Sequence, residues 1–313
     1  MLRYLVQRVL ATVPTLVGVM VTVFITLRLI PGDPVVAMLG DMATPEQVAA
    51  VRQELGLDRP LPVQLGNFMG RYLRGDLGDS IRNRRPVAEE IGGRFPYTFF
   101  LTATGVLVAV ILGVPLGILA ATRRGSWIDL SSLSVSMIGI AAPVFWVGLL
   151  LSMLFAIKLR WFPSIGAGRP GDYVSMARAL VLPAFTLGLS TMALIARMTR
   201  SSMLDVLRED YIRTARAKGL GERAVLYKHA LKNAAIPIVT IVGLNMGYLL
   251  GGAVLVETVF ARPGLGKLLV DAILARDYPV VQGVTFFVAL IFILINLLTD
   301  LVYALLDPQV QLR

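Results

Sequence analysis

Six apolar blocks set the terms for this chain, each close to the roughly twenty residues a helix needs to cross a bilayer. They occupy residues 9–27, 95–122, 130–157, 179–196, 234–256 and 280–306, and Asp300 is the only charged residue inside any of them. A polypeptide in lipid has to satisfy its backbone internally, which predicts an all-α membrane protein of six transmembrane helices. Composition agrees: 56% of the 313 residues are apolar and 16% are charged, where a soluble chain carries about a quarter charged residues. The first block is too long for a secretory signal and has no small-residue cleavage site after it, so it is read as the first span.

Six spans put both termini on one face, and lysine and arginine in the short loops choose which. With a cytoplasmic N terminus, Arg3, Arg8, Arg123, Arg124 and residues 197–232, which hold nine lysines and arginines, are all cytoplasmic. The long segment 31–94 balances eight arginines against nine acids, and the loop 158–178, with four cations, opposes the assignment. The net charge of +10 therefore records membrane orientation rather than a nucleic-acid surface. There is no cysteine and a single histidine, His229, so neither disulfides nor thiolate metal sites are available and the histidine cannot by itself make a metal centre.

The organisation that follows is a tail and first span over 1–31, an extracytoplasmic segment over 32–94, and a core over 95–313 containing a cytoplasmic loop at 200–237. The extracytoplasmic segment is expected to be helical. Thr44, Pro45 and Gln47 form a helix start with a capping box. Val48, Val51 and Leu55 follow at helical spacing with Gly56 as a stop, and residues 62–73 form a second helix before a turn at Gly75-Asp76-Leu77-Gly78.

Glycine and proline inside the spans mark packing and bending. Gly243, Gly247 and Gly251 make a stripe at four-residue intervals that admits another helix backbone, either from a partner or from this chain. Pro115 with Gly113 and Gly117, and Pro143 after Gly139, predict kinks in the second and third spans. The ionisable residues Arg28, Glu257 and Asp300 sit near span ends within reach of an interface, and Asn245 and Asn296 are placed to bond between helices.

The cytoplasmic loop carries the most information. Leu204, Leu207, Tyr211 and Ala215 fall on one helical face, with Arg208, Glu209, Arg213, Arg216 and Lys218 around the rest. Gly219 and Gly221 break this helix, and a second one starts near Glu222. A basic hairpin on anionic headgroups would account for the charge. It does not account for the small-residue tip of Thr214, Ala215, Arg216, Ala217, Lys218 and Gly219, which suits a close fit into a protein groove.

The run Glu209-Asp210-Tyr211-Ile212-Arg213-Thr214-Ala215-Arg216-Ala217-Lys218-Gly219-Leu220, followed by Lys228-His229-Ala230-Leu231-Lys232-Asn233-Ala234, resembles the coupling loop of dipeptide, oligopeptide and nickel permeases of the ATP-binding-cassette importers. The resemblance extends in order along the chain through Pro31-Gly32-Asp33-Pro34, Arg74-Gly75-Asp76-Leu77-Gly78, Arg85-Pro86-Val87, Phe260-Ala261-Arg262-Pro263-Gly264-Leu265-Gly266 and Arg276-Asp277-Tyr278-Pro279. The wider importer motif begins Glu-Ala-Ala with a later glycine. Here Arg213, Thr214, Ala215 and Gly219 hold those places, which narrows the branch to the peptide permeases.

The resemblance implies a type I importer permease fold, with the loop docking in a groove on a separate ATPase. It implies a second homologous permease, two ATPase subunits that bind ATP and Mg, and an extracytoplasmic solute-binding protein, in a bacterial inner membrane. Pro263, Gly264, Gly266, Arg276, Asp277 and Tyr278 would face that binding protein. Short peptides or a glutathione-like tripeptide are the first-choice solutes, with nickel or another small solute as the alternative. This chain would hold no cofactor and no catalytic site, consistent with its lack of a G-x-x-x-x-G-K-[ST] loop. A secondary carrier would need internal repeats and midplane ion ligands, and a membrane enzyme would need a nucleophile pair or metal cluster.

Overall fold

A computed structural model of the chain describes residues 2–29, 35–36, 43–54 and 56–306, so the Pro31–Pro34 motif and Leu55 lie outside the described residues. Eleven helices are labelled here: α1 (Leu2–Leu29), α2 (Pro45–Glu54), α3 (Leu61–Leu73), α4 (Val87–Thr122), α5 (Trp127–Ala141), α6 (Val144–Lys158), α7 (Tyr173–Val206), α8 (Asp210–Ala217), α9 (Glu222–Val259), α10 (Leu265–Leu274) and α11 (Tyr278–Leu306). α6 ends in a π-helical turn over Ser152–Lys158, and a second lies in α9 at Val225–Ala230. Among the described residues there is no strand beyond one isolated bridge, Asp79 to Pro86.

Five described helices are long and apolar enough to span a membrane, and α5 with α6 make a sixth if the bent pair is one span. The kink expected at Pro143 in the third span is present and amounts to a break: the two halves are bent by 108°. The break sits at Ala142 and Pro143, both in extended backbone, because proline lacks the N–H and disfavours helix in the residue before it. No such break occurs at Pro115, where α4 is helical on both sides. Glycines 113 and 117 instead admit α7. A Cβ on Gly117 would lie 2.5 Å from the Ala196 carbonyl oxygen, and one on Gly113 2.8 Å from that of Met192. With Gly105 packed on Gly188 and Ala109 fully buried, α4 presents small residues at 105, 109, 113 and 117, the spacing that lets helices approach in lipid.

The chain divides into two compact units, residues 1–96 with 263–294, and residues 97–262 with 295–313. The first is built on Leu27, Val87, Ile91, Leu265, Leu268, Ala272 and Val280, Val281 and Val284. Its helical segment starts as the sequence predicts: the Thr44 N–H donates to Gln47 Oε1 at 3.0 Å and the Gln47 N–H to Thr44 Oγ1 at 3.3 Å. The turn after α3 has φ near +78° at both Gly75 and Gly78, a region that favours glycine. Asp76 caps it by accepting from Gly78 N at 2.8 Å, and the Arg71 guanidinium holds this carboxyl below its usual pKa. Rings of Phe24, Phe68, Tyr72 and Phe286 follow one another at centroid distances of 5.7, 4.3 and 5.1 Å, tying α1, α3 and α11 together.

The second unit is organised around α7, whose apolar window is two-thirds buried, more than in any other described span. It packs on α4, α5, α6 and α9. Gly243 of the predicted stripe is used within the chain, since a Cβ there would overlap Thr299 of α11, whereas one on Gly251 would meet nothing within 4 Å. Gly247 is buried.

Candidate functional site

The candidate site is the turn between α7 and α9. α7 stops at Val206, and residues 207–209 make a bent connection before α8 begins behind Glu209. The interruption resets the helical phase. Ile212, not Tyr211, is therefore the buried partner of Ala215, while Tyr211 is 41% exposed and accepts a hydrogen bond from Asn233 Nδ2 at 2.7 Å. Ile212 and Ala215 pack with Ile118 and Ala121 of α4, Met203 of α7, and Val225, Ala230 and Ala234 of α9. Burying two side chains of an eight-residue helix fixes it to three spans at once.

The opposite face is open. Arg213, Thr214, Arg216, Ala217, Lys218, Gly219, Leu220 and Gly221 are all exposed. Arg213 pairs with Asp210 at 3.2 Å and Arg216 with Glu222 at 2.8 Å. The second pair raises the Arg216 pKa through its hydrogen bond to Glu222. Exposed pairs of this kind contribute at most about 1 kcal/mol, so they orient side chains more than they stabilise the turn. Gly219 has φ +77° and no atom near its missing Cβ, while Gly221 has an ordinary extended backbone. Gly219 is thus demanded by conformation. Gly221 leaves the tip bare.

Two features outside this turn escaped the sequence reading. Asp129, on the first turn of α5, is 3% exposed and receives both Nε and Nη2 of Arg200 from α7, the latter at 2.8 Å, plus the Gly125 N–H at 2.9 Å. This bidentate pair locks α5 to α7 one and a half turns before α7 ends. Toward the other end of α9, Glu257 is fully buried and accepts from Thr98 Oγ1 at 2.6 Å, so it does not reach an interface as its place in the sequence suggests. Arg262 is also buried, donating to the Ala179 carbonyl at 3.2 Å, and burial lowers its pKa. Asn245 bonds the Ile241 carbonyl of its own helix rather than a neighbouring helix.

The loop assigned to a binding protein is mostly interior. Gly264, Gly266 and Asp277 are buried, and Pro263, Arg276 and Tyr278 are half-buried. Asp277 ties down the turn after Asp79, accepting from Ser80 Oγ at 2.6 Å and from the N–H groups of Ile81 and Arg82 at 3.2 Å each. The exposed residues of α10 are Ile273 and Leu274, at 48% and 79%.

Residues 113–312 match the family described as binding-protein-dependent transport system inner membrane component, and residues 1–102 match its N-terminal family. The glutathione transport system permease protein GsiC of Pectobacterium atrosepticum is 46% identical over 313 residues, with all of both chains covered. The dipeptide transport system permease protein DppB of Alkalihalophilus pseudofirmus is 43% identical, covering 99% of this chain and 100% of its own. Two inward-facing structures of the MetNI methionine ABC transporter superimpose with TM-scores of 0.54 and 0.57 at 19% and 18% identity. They cover 69% and 70% of this chain and 96% of each matched chain. Spans, turn and end-to-end relatives together show that the chain belongs to the binding-protein-dependent transport system inner membrane component family, as a permease subunit with the type I ABC importer fold.

Proposed function

We propose that this permease forms half of the pathway for short peptides, including glutathione-like tripeptides, and that residues 209–219 are the lever by which a separate ATPase moves it. The observation that carries the reading is the two-sided α8, anchored through Ile212 and Ala215 and bare at Ala217, Gly219 and Gly221. An anchored helix with a small-residue outer face transmits a push, whereas a headgroup anchor needs no seat among three spans. In this reading the turn is cytoplasmic, as are both termini, and the chain works with a second permease, two ATPases and an extracytoplasmic binding protein. ATP-driven closure of the ATPases draws the paired turns together and opens the pathway outward; hydrolysis returns it inward. ATP and Mg stay on the partners.

The peptide assignment is supported by the printed functions of the full-length relatives, one for glutathione and one for dipeptides. It is also supported by a groove of about 260 Å³ beside the α5–α6 break, lined by Ser190, Thr191, Asn245 and Tyr248 among apolar residues and carrying no charge. An uncharged wall suits passage of amide-bearing solutes without trapping them.

Absence of native cysteine makes the test direct. A cysteine replacing Ala217 should form a disulfide with one in the groove of the partner ATPase, given alpha carbons within about 7 Å. The cross-link should stop transport until reductant is added. Failure across a panel of tip and groove positions, with transport unaffected by oxidant, would remove the lever assignment.

A further inference from the structure

A second cavity, of about 370 Å³, lies wholly within the first unit, and Arg28 at the end of α1 forms part of its wall. The guanidinium sits over the Phe24 ring, 3.4 Å from its centre. Its Nη2 and Nε donate to Gln64 Oε1 at 2.8 and 3.2 Å, and Nη1 donates to the Phe24 carbonyl at 3.2 Å. Gln64 cannot turn away, because its own Nε2 is spent on the Leu57 and Arg59 carbonyls at 3.2 and 2.7 Å. Every acceptor holding this cation is neutral, and among the described residues no carboxylate is paired with it. Three of its five N–H groups are engaged by described residues, which leaves two.

Two more observations point into the same space. Tyr72, another lining residue, is 7% exposed and its hydroxyl has no hydrogen-bond partner among the described residues. Asn67, Tyr278 and Gln282 add uncharged polar groups to the wall, and its one carboxylate, Asp79, acts on Arg71 rather than on Arg28. Arg71 also borders the cavity, but it is committed to Asp76 at 2.8 Å. A half-buried cation without a counter-ion is unfavourable, and a planar guanidinium with free parallel N–H groups fits a carboxylate. The volume lies within the range of about 300–1,000 Å³ usual for small-ligand pockets.

We propose that this cavity is a carboxylate site, in which Arg28 and the Tyr72 hydroxyl receive the free carboxylate of the solute and the surrounding amide side chains accept its peptide groups. The solute class rests on the importer reading; the anion preference does not.

The test uses the full importer, assembled with its ATPases and binding protein in proteoliposomes. Exposed Asn67 is replaced by cysteine, and its rate of modification is measured with an anionic sulfonatoethyl and a cationic trimethylammonium thiosulfonate. A focused positive site should favour the anionic reagent by at least about tenfold. Arg28→Gln should abolish that preference, and Arg28→Lys should keep most of it. A dipeptide with a free C-terminal carboxylate should protect the cysteine, while its C-terminal amide should not. An unchanged reagent ratio in Arg28→Gln would overturn the site. Equal protection by peptide-free binding protein would also overturn the solute assignment, because the carboxylate would then be an acidic side chain of the docked protein. Stimulation of ATP hydrolysis by loaded binding protein, measured on the same variants, tests the importer reading separately, since it does not depend on which reagent reacts faster.

Discussion

Arg200→Leu should destabilise the second unit by leaving a buried carboxylate without its counter-ion. Asp129 keeps 4% of its side chain exposed and Arg200 21%. Removing one partner of a buried pair costs about 3–5 kcal/mol, and the partial exposure of Arg200 places the cost near the lower end, at ~3 kcal/mol. That is roughly a hundredfold change in the ratio of folded to unfolded protein. Asp129→Asn/Arg200→Leu should be much milder, about 1 kcal/mol, because asparagine still accepts from Gly125 N and no charge is left stranded. The cycle with Asp129→Asn alone should therefore show a coupling energy above ~2 kcal/mol, well beyond the ~0.5 kcal/mol seen for independent sites. Unfolding in mixed micelles by added sodium dodecyl sulfate, followed through the fluorescence of Trp127 two residues away in a background where Trp146 and Trp161 are phenylalanine, measures all four chains. Additive single and double effects would show that the pair contributes nothing as a pair, and the strut between α5 and α7 would lose its energetic basis.

Gly188→Ala should weaken the α4–α7 contact by about 1–3 kcal/mol through overpacking, since its Cβ would stand 2.5 Å from the Gly105 carbonyl oxygen; alanine at Gly92, where nothing lies within 4 Å, is the control, and equal stability of the two would refute the contact. Gly219→Val should cost about 1–3 kcal/mol of local strain at φ +77° and lower transport per ATP hydrolysed, with the protein still inserted; full coupling in the variant would contradict the lever. Asp277→Leu removes the acceptor of three donors at residues 80–82, and limited proteolysis should then cut that turn faster, whereas unchanged cleavage would show the clamp to be redundant. The purified chain alone should hydrolyse no ATP, and turnover that persists without ATPase subunits would contradict its place as a translocation subunit.

The spans were legible because lipid imposes a length and an apolar composition that no loop imitates. The Thr44–Gln47 cap was legible because it is local, its donor and acceptor three residues apart. What the sequence concealed is long-range. Asp129 and Arg200 stand 71 residues apart, each with the look of an interfacial charge, and their pairing depends on how α5 meets α7. Glu257 is hidden for the same reason, its hydroxyl partner lying 159 residues away. Tyr211 was misplaced because three non-helical residues shift the period of 3.6, so a face traced from Leu204 arrives one residue early. The glycines of α4 were masked by Pro115, which draws attention to bending when their four-residue spacing specifies contact.

The seat of α8 also sets an order of biogenesis. Ile212 and Ala215 rest on residues made long before them, Ile118 and Ala121, and on residues made after them, Ala230 and Ala234. A nascent chain that has released the turn but not the start of α9 lacks part of the surface that fixes it, so a chain ending at residue 224 should not retain the ATPase on affinity beads. On the lever reading proposed above, competence to bind the ATPase would then arrive only once the start of α9 has been made, with α11 still to come.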